Sequence, residues 1–517
     1  MRKNHVFLIL LFLFFVSGQT DLLHAQPSGA KALVEEAAKA MGGLPALRAL
    51  KNQVIESEGK QFEHASPRQP LGPGGQISTF RYILTRDLSQ PRLRLEWDGT
   101  LSSRSNEPLR WVEVIDGSVG LLEEGASGKQ IRLHPARLAT RMREEKRAAA
   151  KIILVALAQK HLRRLADADL DGKPQQVLAF QESGDEFRVY LDAKSKLPSQ
   201  VEIMEDDPLE GASRYTLRYS DWRKVDAVML PFGLRTELNG KPLQEEQIKS
   251  VRNNVTLTTD SFSVPQAIRD QKVDAKAVAF QWVQRRVATN FSYQDVGRTP
   301  PVEFARLAEG VYQIRGSSHN TVIVEMRDHL ITVEGPLYDE RSVSVIKAIR
   351  ERFPAKPIRY VIPTHTHLDH SGGIRGFMAK GATVVVPFVA TEFYARVAKA
   401  PHTIRPDSFE KSKRAVVIES YGGGYRTLTD GDQRVEIYPL PTSHAGDFQV
   451  IYLPREKILI EADHVSPRGG QVRPAPILRE FVQAVDKLNL DIQTVAGIHG
   501  DSATMQAVRA AAKAGQK

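Results

Sequence analysis

The sequence predicts an α+β, multidomain protein: an N-terminal antiparallel β-rich domain followed by a C-terminal αβ/βα sandwich. Three observations carry that reading. The chain has 517 residues, more than one core ordinarily organises. Residues 53–264 carry short alternating runs separated by Asp98-Gly99, Asp116-Gly117 and Asn239-Gly240, the pattern of antiparallel strands and tight turns. From residue 304 onward, apolar strand-like runs alternate with segments of helical spacing in two groups, which suggests two mixed sheets packed face to face with helices outside.

The elements follow in order. Arg2 and Lys3 precede an 11-residue apolar run over 6–16. A membrane span needs about 20 apolar residues, so the run fits the core of a signal peptide. Leu23-His24-Ala25 offers a cleavage site and Val16-Ser17-Gly18 an alternative; an uncleaved membrane anchor is the competing reading. We take 1–25 as the signal peptide and expect a periplasmic or secreted protein. There is no cysteine. A lipobox anchor, a disulfide framework, thiolate metal ligands and a cysteine nucleophile are therefore all excluded. The formal net charge is +10, yet basic residues are scattered and aromatics are not interleaved with them. That argues against a nucleic-acid partner and fits a small-molecule substrate, with an anionic membrane surface as a compatible neighbour.

In the β-rich domain, residues 26–265, a helix over 28–50 is broken at Gly42-Gly43. Strands are expected over 53–60, 79–86, 92–97, 110–116, 176–181, 187–192, 200–205, 215–222 and 230–238, with one helix over 136–165. Three patches, Met41-Gly42-Gly43-Leu44 before Glu56-x-x-Gly59, Tyr219-Ser220-Asp221-Trp222 before Leu230-Pro231, and Phe262-Ser263-Val264-Pro265, resemble lipoprotein-carrier-like (LolA-like) half-barrels. That resemblance implies a concave sheet face able to receive an acyl chain, and hence lipid or membrane-surface contact; a plain structural or substrate-presenting sheet is the equal alternative. Residues 266–302 read as a linker with a helical piece over 266–286.

In the C-terminal domain, 303–517, strands are expected over 311–315, 321–326, 329–335, 358–362 and 383–387, with helices over 339–353 and 390–398. A second strand group is expected over 415–419, 434–440, 448–453 and 457–461, followed by helices over 476–488 and 503–514. The run 358–362 delivers Thr364-His365-Thr366-His367-Leu368-Asp369-His370-Ser371-Gly372-Gly373. Three imidazoles and a carboxylate within six residues are donors that suit zinc, with iron or manganese as alternatives. A turn can aim His365 and His367 at one cation, and Asp369 and His370 at a second. Further candidates sit at later strand ends: His444, Asp463 and His499.

These five motifs, in order from the lead-in strand 331–335, resemble the metallo-β-lactamase-fold hydrolases. The resemblance implies that His365, His367 and His444 hold one zinc, that Asp369, His370 and His499 hold the other, and that Asp463 bridges them. An aspartate at the bridging position is the pattern of thioesterases, lactonases and related hydrolases of that superfamily rather than of true β-lactamases. The expected protein is an exported dinuclear zinc hydrolase attacking an ester, lactone, thioester or sulfate ester, with Asp369 also orienting the nucleophile and taking its proton. An iron-dependent oxidoreductase on the same fold and a non-catalytic lipid- or metal-binding carrier are the alternatives.

Thr364, Ser371, Ser443 and Asp447 are candidate supports of the ligands, or ordinary turn caps. His464, next to Asp463 on a strand, should face the other way and be structural. His319, His329 and His402 could line the pocket mouth, with a surface or satisfied loop histidine the preferred reading for each. Arg375 reads as an anion contact or a solvated helix residue, and Tyr421-Gly422-Gly423-Gly424-Tyr425 as a hairpin turn or a lid.

Overall fold

The computed structural model describes residues 27–101, 107–125, 127–258, 260–273, 301–316 and 318–514. The expected signal peptide and most of the expected linker lie outside the described residues. No helix among the described residues is long and apolar enough to cross a membrane.

The N-terminal half is one sheet of fourteen strands, antiparallel throughout. Its order runs from the edge strand Gln130–Arg132 back to Asn52–Glu63, then across to Lys241–Asn253 and outward to Arg163–Arg164, so the two ends of the domain's sequence pair at its centre. All nine expected strands are present. The helix expected over 136–165 is two helices, Pro135–Glu145 and Ala149–Leu157. Between them Ala148 is extended, and the Tyr219 hydroxyl donates to the Arg147 carbonyl. The helix Ala149–Leu157 and the N-terminal helix Pro27–Ala40 cover one sheet face, burying Ile152, Ile153, Leu33 and Val34 against Phe180, Phe187, Val201 and Tyr215. Pro135–Glu145 instead sets Arg137 and Arg141 against the fully buried Glu113, at 2.8 and 3.2 Å. The helix expected over 266–286 is the single turn Gln266–Arg269 in its described part.

The C-terminal half is the expected sandwich. One sheet has seven strands: Glu303–Ala308, Val311–Arg315, Thr321–Glu325 and Leu330–Val333 antiparallel, then Ile358–Ile362, Thr383–Pro387 and Ile418–Tyr421 parallel. The other has six strands, from Arg426–Thr429 to Ser502–Thr504, with Thr494–Gly497 parallel to Ile458–Glu461. Alternation along Thr321–Glu325 sends Val322 and Val324 between the sheets and Ile323 outward against the helix Asp339–Arg352. The second sheet answers with Val435, Ile437, Val450 and Ile460, and the helices Pro476–Asp486 and Met505–Ala514 close its outer side.

Two expectations change here. The strand expected over 415–419 does not join the second group; Ile418–Tyr421 pairs in parallel with Thr383–Pro387 at the edge of the first sheet. Tyr421-Gly422-Gly423-Gly424-Tyr425 is therefore not a hairpin turn but the crossing from one sheet to the other, and Gly423 and Gly424 take the positive φ values of 71° and 142° that this reversal needs.

The two halves meet through two loops. Leu209, at the tip of the hairpin joining Pro198–Asp207 to Gly211–Val225, is buried in the outer core of the first sheet beside Phe393, Val397 and Phe409. The second loop, residues 64–74, joins Asn52–Glu63 to Gly75–Asp87. Between these loops and the helix Thr391–Lys399 lies a cavity of about 720 Å³.

Candidate metal centre

The candidate ligands come from loops at one end of both sheets, where strands running the same way finish. Ligand sites at the carboxyl ends of strands are the rule in open α/β sheets. Ile358–Ile362 ends in the turn carrying His365 and His367, and the short helix Leu368–Ser371 carries Asp369 and His370. His444 follows Arg434–Pro439, Asp463 follows Ile458–Glu461, and His499 follows Thr494–Gly497. Asp463 holds a positive φ of 63°, uncommon for a non-glycine residue, so its carboxylate is aimed by the surrounding structure rather than by preference.

All seven sequence-predicted residues converge. Donor atoms of His365, His367, His444 and Asp463 lie within 4.8 Å of one another, and so do those of Asp369, His370, His499 and a residue not expected here, His319. Asp463 faces both groups. Its Oδ2 is 3.2 Å from His365 Nε2, 3.1 Å from His444 Nε2 and 2.9 Å from His370 Nε2, and its Oδ1 is 2.9 Å from His499 Nε2.

The spacing fits cations. A tetrahedral metal bonded at about 2.0–2.1 Å to nitrogen and oxygen sets its donor atoms about 3.3–3.4 Å apart. His365 Nε2 and His444 Nε2 stand 3.3 Å apart. His370 Nε2 and Asp463 Oδ2 are buried and close, yet neither has a hydrogen-bond partner among the described residues. They stand 2.9 Å apart without the geometry of a hydrogen bond to each other. The side chains of His365 and His370 are wholly buried and form the floor, whereas His444 and His499 are 26% and 21% exposed and mark the mouth.

Electrostatics favours the ligating forms of His365, His367, Asp369 and Asp463. Burial, reinforced by His367 and His370, holds His365 well below the usual imidazole range, and burial with His444 takes His367 down to about 3. Burial opposes charge on Asp369 and Asp463 as well. There His370 outweighs it, helped by His319 at Asp369 and His444 at Asp463, and both carboxyls are held well below the usual range. Neutral imidazole and ionised carboxylate are the states that bind a metal. Burial likewise disfavours charge on His370, but Asp463, Glu334 and Asp369 prevail and hold it high.

Supporting contacts fix the rings. Thr364 Oγ1 is 3.0 Å from His365 Nδ1. Glu334 is fully buried; its Oε2 is 3.2 Å from His370 Nδ1 and its Oε1 accepts the Thr364 N–H at 2.7 Å. Ser371 Oγ donates to the His365 carbonyl at 2.8 Å. Asp447 Oδ2 accepts the Thr366 N–H at 2.9 Å and so shapes the turn, while Ser443 is held by Glu480 away from the ligands.

The family model for the metallo-beta-lactamase superfamily matches residues 332–497, the stretch that supplies every one of these predicted ligands but His499. The C-terminal region belongs to the metallo-β-lactamase superfamily. Its match to an alkyl/aryl-sulfatase of Saccharomyces cerevisiae is 35% identical over 74 residues, 14% of this chain and 12% of that protein. A linear primary-alkylsulfatase of a Pseudomonas species is 34% identical over 71 residues, 14% of this chain and 10% of that protein. The aligned stretches thus span about a tenth of the length of these curated relatives. Among solved structures, a metallo-β-lactamase of Pseudomonas aeruginosa in its mono-zinc form is 18% identical, covering 42% of this chain and 95% of that one at a TM-score of 0.33.

Three other placements differ from the sequence reading. His319 is not a surface or satisfied loop residue; it is buried at the site, with Nε2 3.3 Å from Asp369 Oδ2 and its ring 4.1 Å from that of His499. The available signal was position: it lies in the loop after Val311–Arg315, at the same sheet end as the motif. Arg375 is neither an anion contact nor solvated, because it is buried and paired with Asp407. Glu334, read as part of a strand, carries a positive φ of 78° and supports His370. His464 is buried against Ala462 O and Thr442 Oγ1, outside both ligand groups. His329 and His402 are buried; Asp328 meets His329 Nδ1 at 2.6 Å and Asp206 meets His402 Nδ1 at 3.3 Å, while His402 Nε2 has no hydrogen-bond partner among the described residues.

Proposed function

We propose that the protein is an exported, dinuclear zinc-dependent hydrolase of ester-type bonds, with alkyl and aryl sulfate esters as the first substrate class to test. The observation that carries the reading is the placement of Asp463, one carboxylate whose two oxygens face both ligand groups. His365, His367 and His444 would hold one cation, Asp369, His370 and His499 the other, and Asp463 would join them. Such a pair supplies Lewis-acid polarisation of the scissile bond and a water that loses its proton near neutral pH. The remaining work falls to this chain. Asp369, steadied by His319 Nε2 at 3.3 Å, orients the attacking water and accepts its proton. Glu334 and Thr364 keep the lone pairs of His370 and His365 turned inward. The sulfate class rests on the names of the two curated relatives.

Metal analysis of the purified chain, followed by a chromogenic panel of sulfate, carboxylate and phosphate esters and lactones, tests this. Two zinc ions per chain are expected, with turnover lost by about 10²-fold or more in Asp369→Ala, the scale of general acid–base contributions. Two iron atoms with redox activity, or turnover indifferent to Asp369→Ala, would refute it.

A further inference from the structure

The loop 64–74 belongs to the N-terminal sheet but lies on the ligand-bearing turns of the other domain. Three consecutive contacts are made by its main-chain carbonyls. Ala65 O accepts the Leu368 N–H at 2.8 Å, Pro67 O faces His367 Nε2 at 3.1 Å, and Arg68 O accepts the Gly446 N–H at 2.7 Å. Leu368 adjoins His367, and Gly446 is two residues beyond His444. Both turns that hold the first ligand group are therefore tied to the same loop. The fit at Gly446 is close: a Cβ there would stand 2.5 Å from the Gln69 carboxamide.

We infer that the N-terminal domain completes the metal centre, with Pro67 O as the positioning group that fixes His367 for the cation of the first ligand group. This rests on the proposal that the group of His365, His367, His444 and Asp463 holds a metal. A carbonyl only accepts, so the contact places the His367 proton on Nε2 and leaves the Nδ1 lone pair for the metal. His365 and His444 present Nε2 instead, at 3.3 Å from each other. His367 is thus the member of the group whose orientation comes from outside its own domain. His365 has Thr364 beside it, and His370 has Glu334.

The loop is built to keep this position. Pro67, Pro70 and Pro73 limit its backbone freedom. Glu63 Oε1 accepts the Ala65 N–H at 2.8 Å, Gly72 N donates to Gln69 O at 2.8 Å, and His64 Nε2 lies 2.5 Å from Pro242 O on the parent sheet. The second docking point holds the domains in register independently, through Leu209 and the Ala212 N–H to Pro401 O bond of 2.7 Å. The loop therefore does not have to hold the domains together, and its direct contacts are with the metal-site turns.

The test uses the full chain with residues 66–73 replaced by a short Gly-Asn-Gly turn. Cobalt(II) is titrated against a chromophoric chelator, with the visible ligand-field spectrum recorded, in parallel with hydrogen exchange of peptides spanning 364–372 and 443–449. Two cobalt ions are expected in the wild type. In the variant, one site should weaken by about 10–100-fold, the effect usual for loss of a hydrogen bond to a ligating histidine, while the other keeps its affinity. Exchange at Leu368 and Gly446 should quicken. Should the shortened loop prevent folding, Gly446→Leu displaces the loop by its contact with Gln69, and Gly446→Leu with Gln69→Gly should restore the lost site. Wild-type affinity at both sites in either folded variant overturns the inference alone. A wild type that takes no metal at the first group overturns the functional proposal as well.

Discussion

Replacing Glu334 by Gln should weaken one metal site without disturbing the fold. The buried carboxylate has two acceptor oxygens and serves two donors: Oε1 takes the Thr364 N–H at 2.7 Å, and Oε2 stands 3.2 Å from His370 Nδ1. A glutamine carries one acceptor and one donor on the same frame. If its oxygen stays with Thr364, its NH₂ faces His370 Nδ1 and can be satisfied only by the tautomer protonated on Nε2. That nitrogen lies 2.9 Å from Asp463 Oδ2 and would then lack a lone pair for a cation. If the amide flips, the Thr364 N–H loses its acceptor beside His365. Support of a ligating histidine is commonly worth 10–100-fold in metal affinity, about 1.4–2.7 kcal/mol. Competition between the protein and a chromophoric chelator for zinc measures this. The expected result is one weakened site, that of His370, with His365 and its partners less affected. A Glu334→Gln protein that binds both ions as tightly as wild type would show that the Glu334 contact does not set the His370 tautomer.

Two further outcomes follow from buried charge and a third from buried apolar packing. Arg137 and Arg141 outweigh the cost of burying Glu113 and hold its carboxyl at about 2, against 4.5 when free. Because the folded value is the lower one, the contribution is complete above pH 4.5 and disappears as pH falls toward 2; it amounts to about 3 kcal/mol. Urea unfolding of Glu113→Gln should show a loss of this order at pH 7 and a shallower acid limb than wild type. Asp407→Asn leaves the buried Arg375 with only the more distant Glu410, at 4.0 Å, as a charge partner and should cost about 3 kcal/mol, read as a lowered thermal midpoint with metal stoichiometry unchanged. Leu209→Ala should destabilise by about 2–5 kcal/mol by opening a cavity where the domains dock, measured by denaturant unfolding.

The candidate ligands were legible in the sequence for a physical reason. Each is a side chain whose chemistry is its role, and each stands at the end of a recognisable apolar strand. Local turn geometry does most of the positioning, so His365, His367, Asp369 and His370 announce themselves within six residues. The supporting groups are different. Glu334 looks like any acid after a strand until the fold buries it completely, and only then do its two oxygens acquire their partners. The same holds for the strand Lys241–Asn253, which occupies the centre of the large sheet although no strand pattern marks it. Its polar Gln244 is buried, where it meets Gln61 at 2.9 Å, so the alternation of apolar residues fails at the place where the two ends of the domain's sequence pair. Pro67 is the limiting case. Its contribution is a main-chain carbonyl, which every residue has, delivered from some 300 residues away in sequence. No side-chain pattern can encode that contact. What the sequence does carry is the means of holding it: three prolines in a loop that would otherwise need only a two-residue turn to join its strands. A loop that long costs more to order than a tight turn, and its prolines offset part of that cost. Its contacts at Leu368, His367 and Gly446 are what that ordering secures.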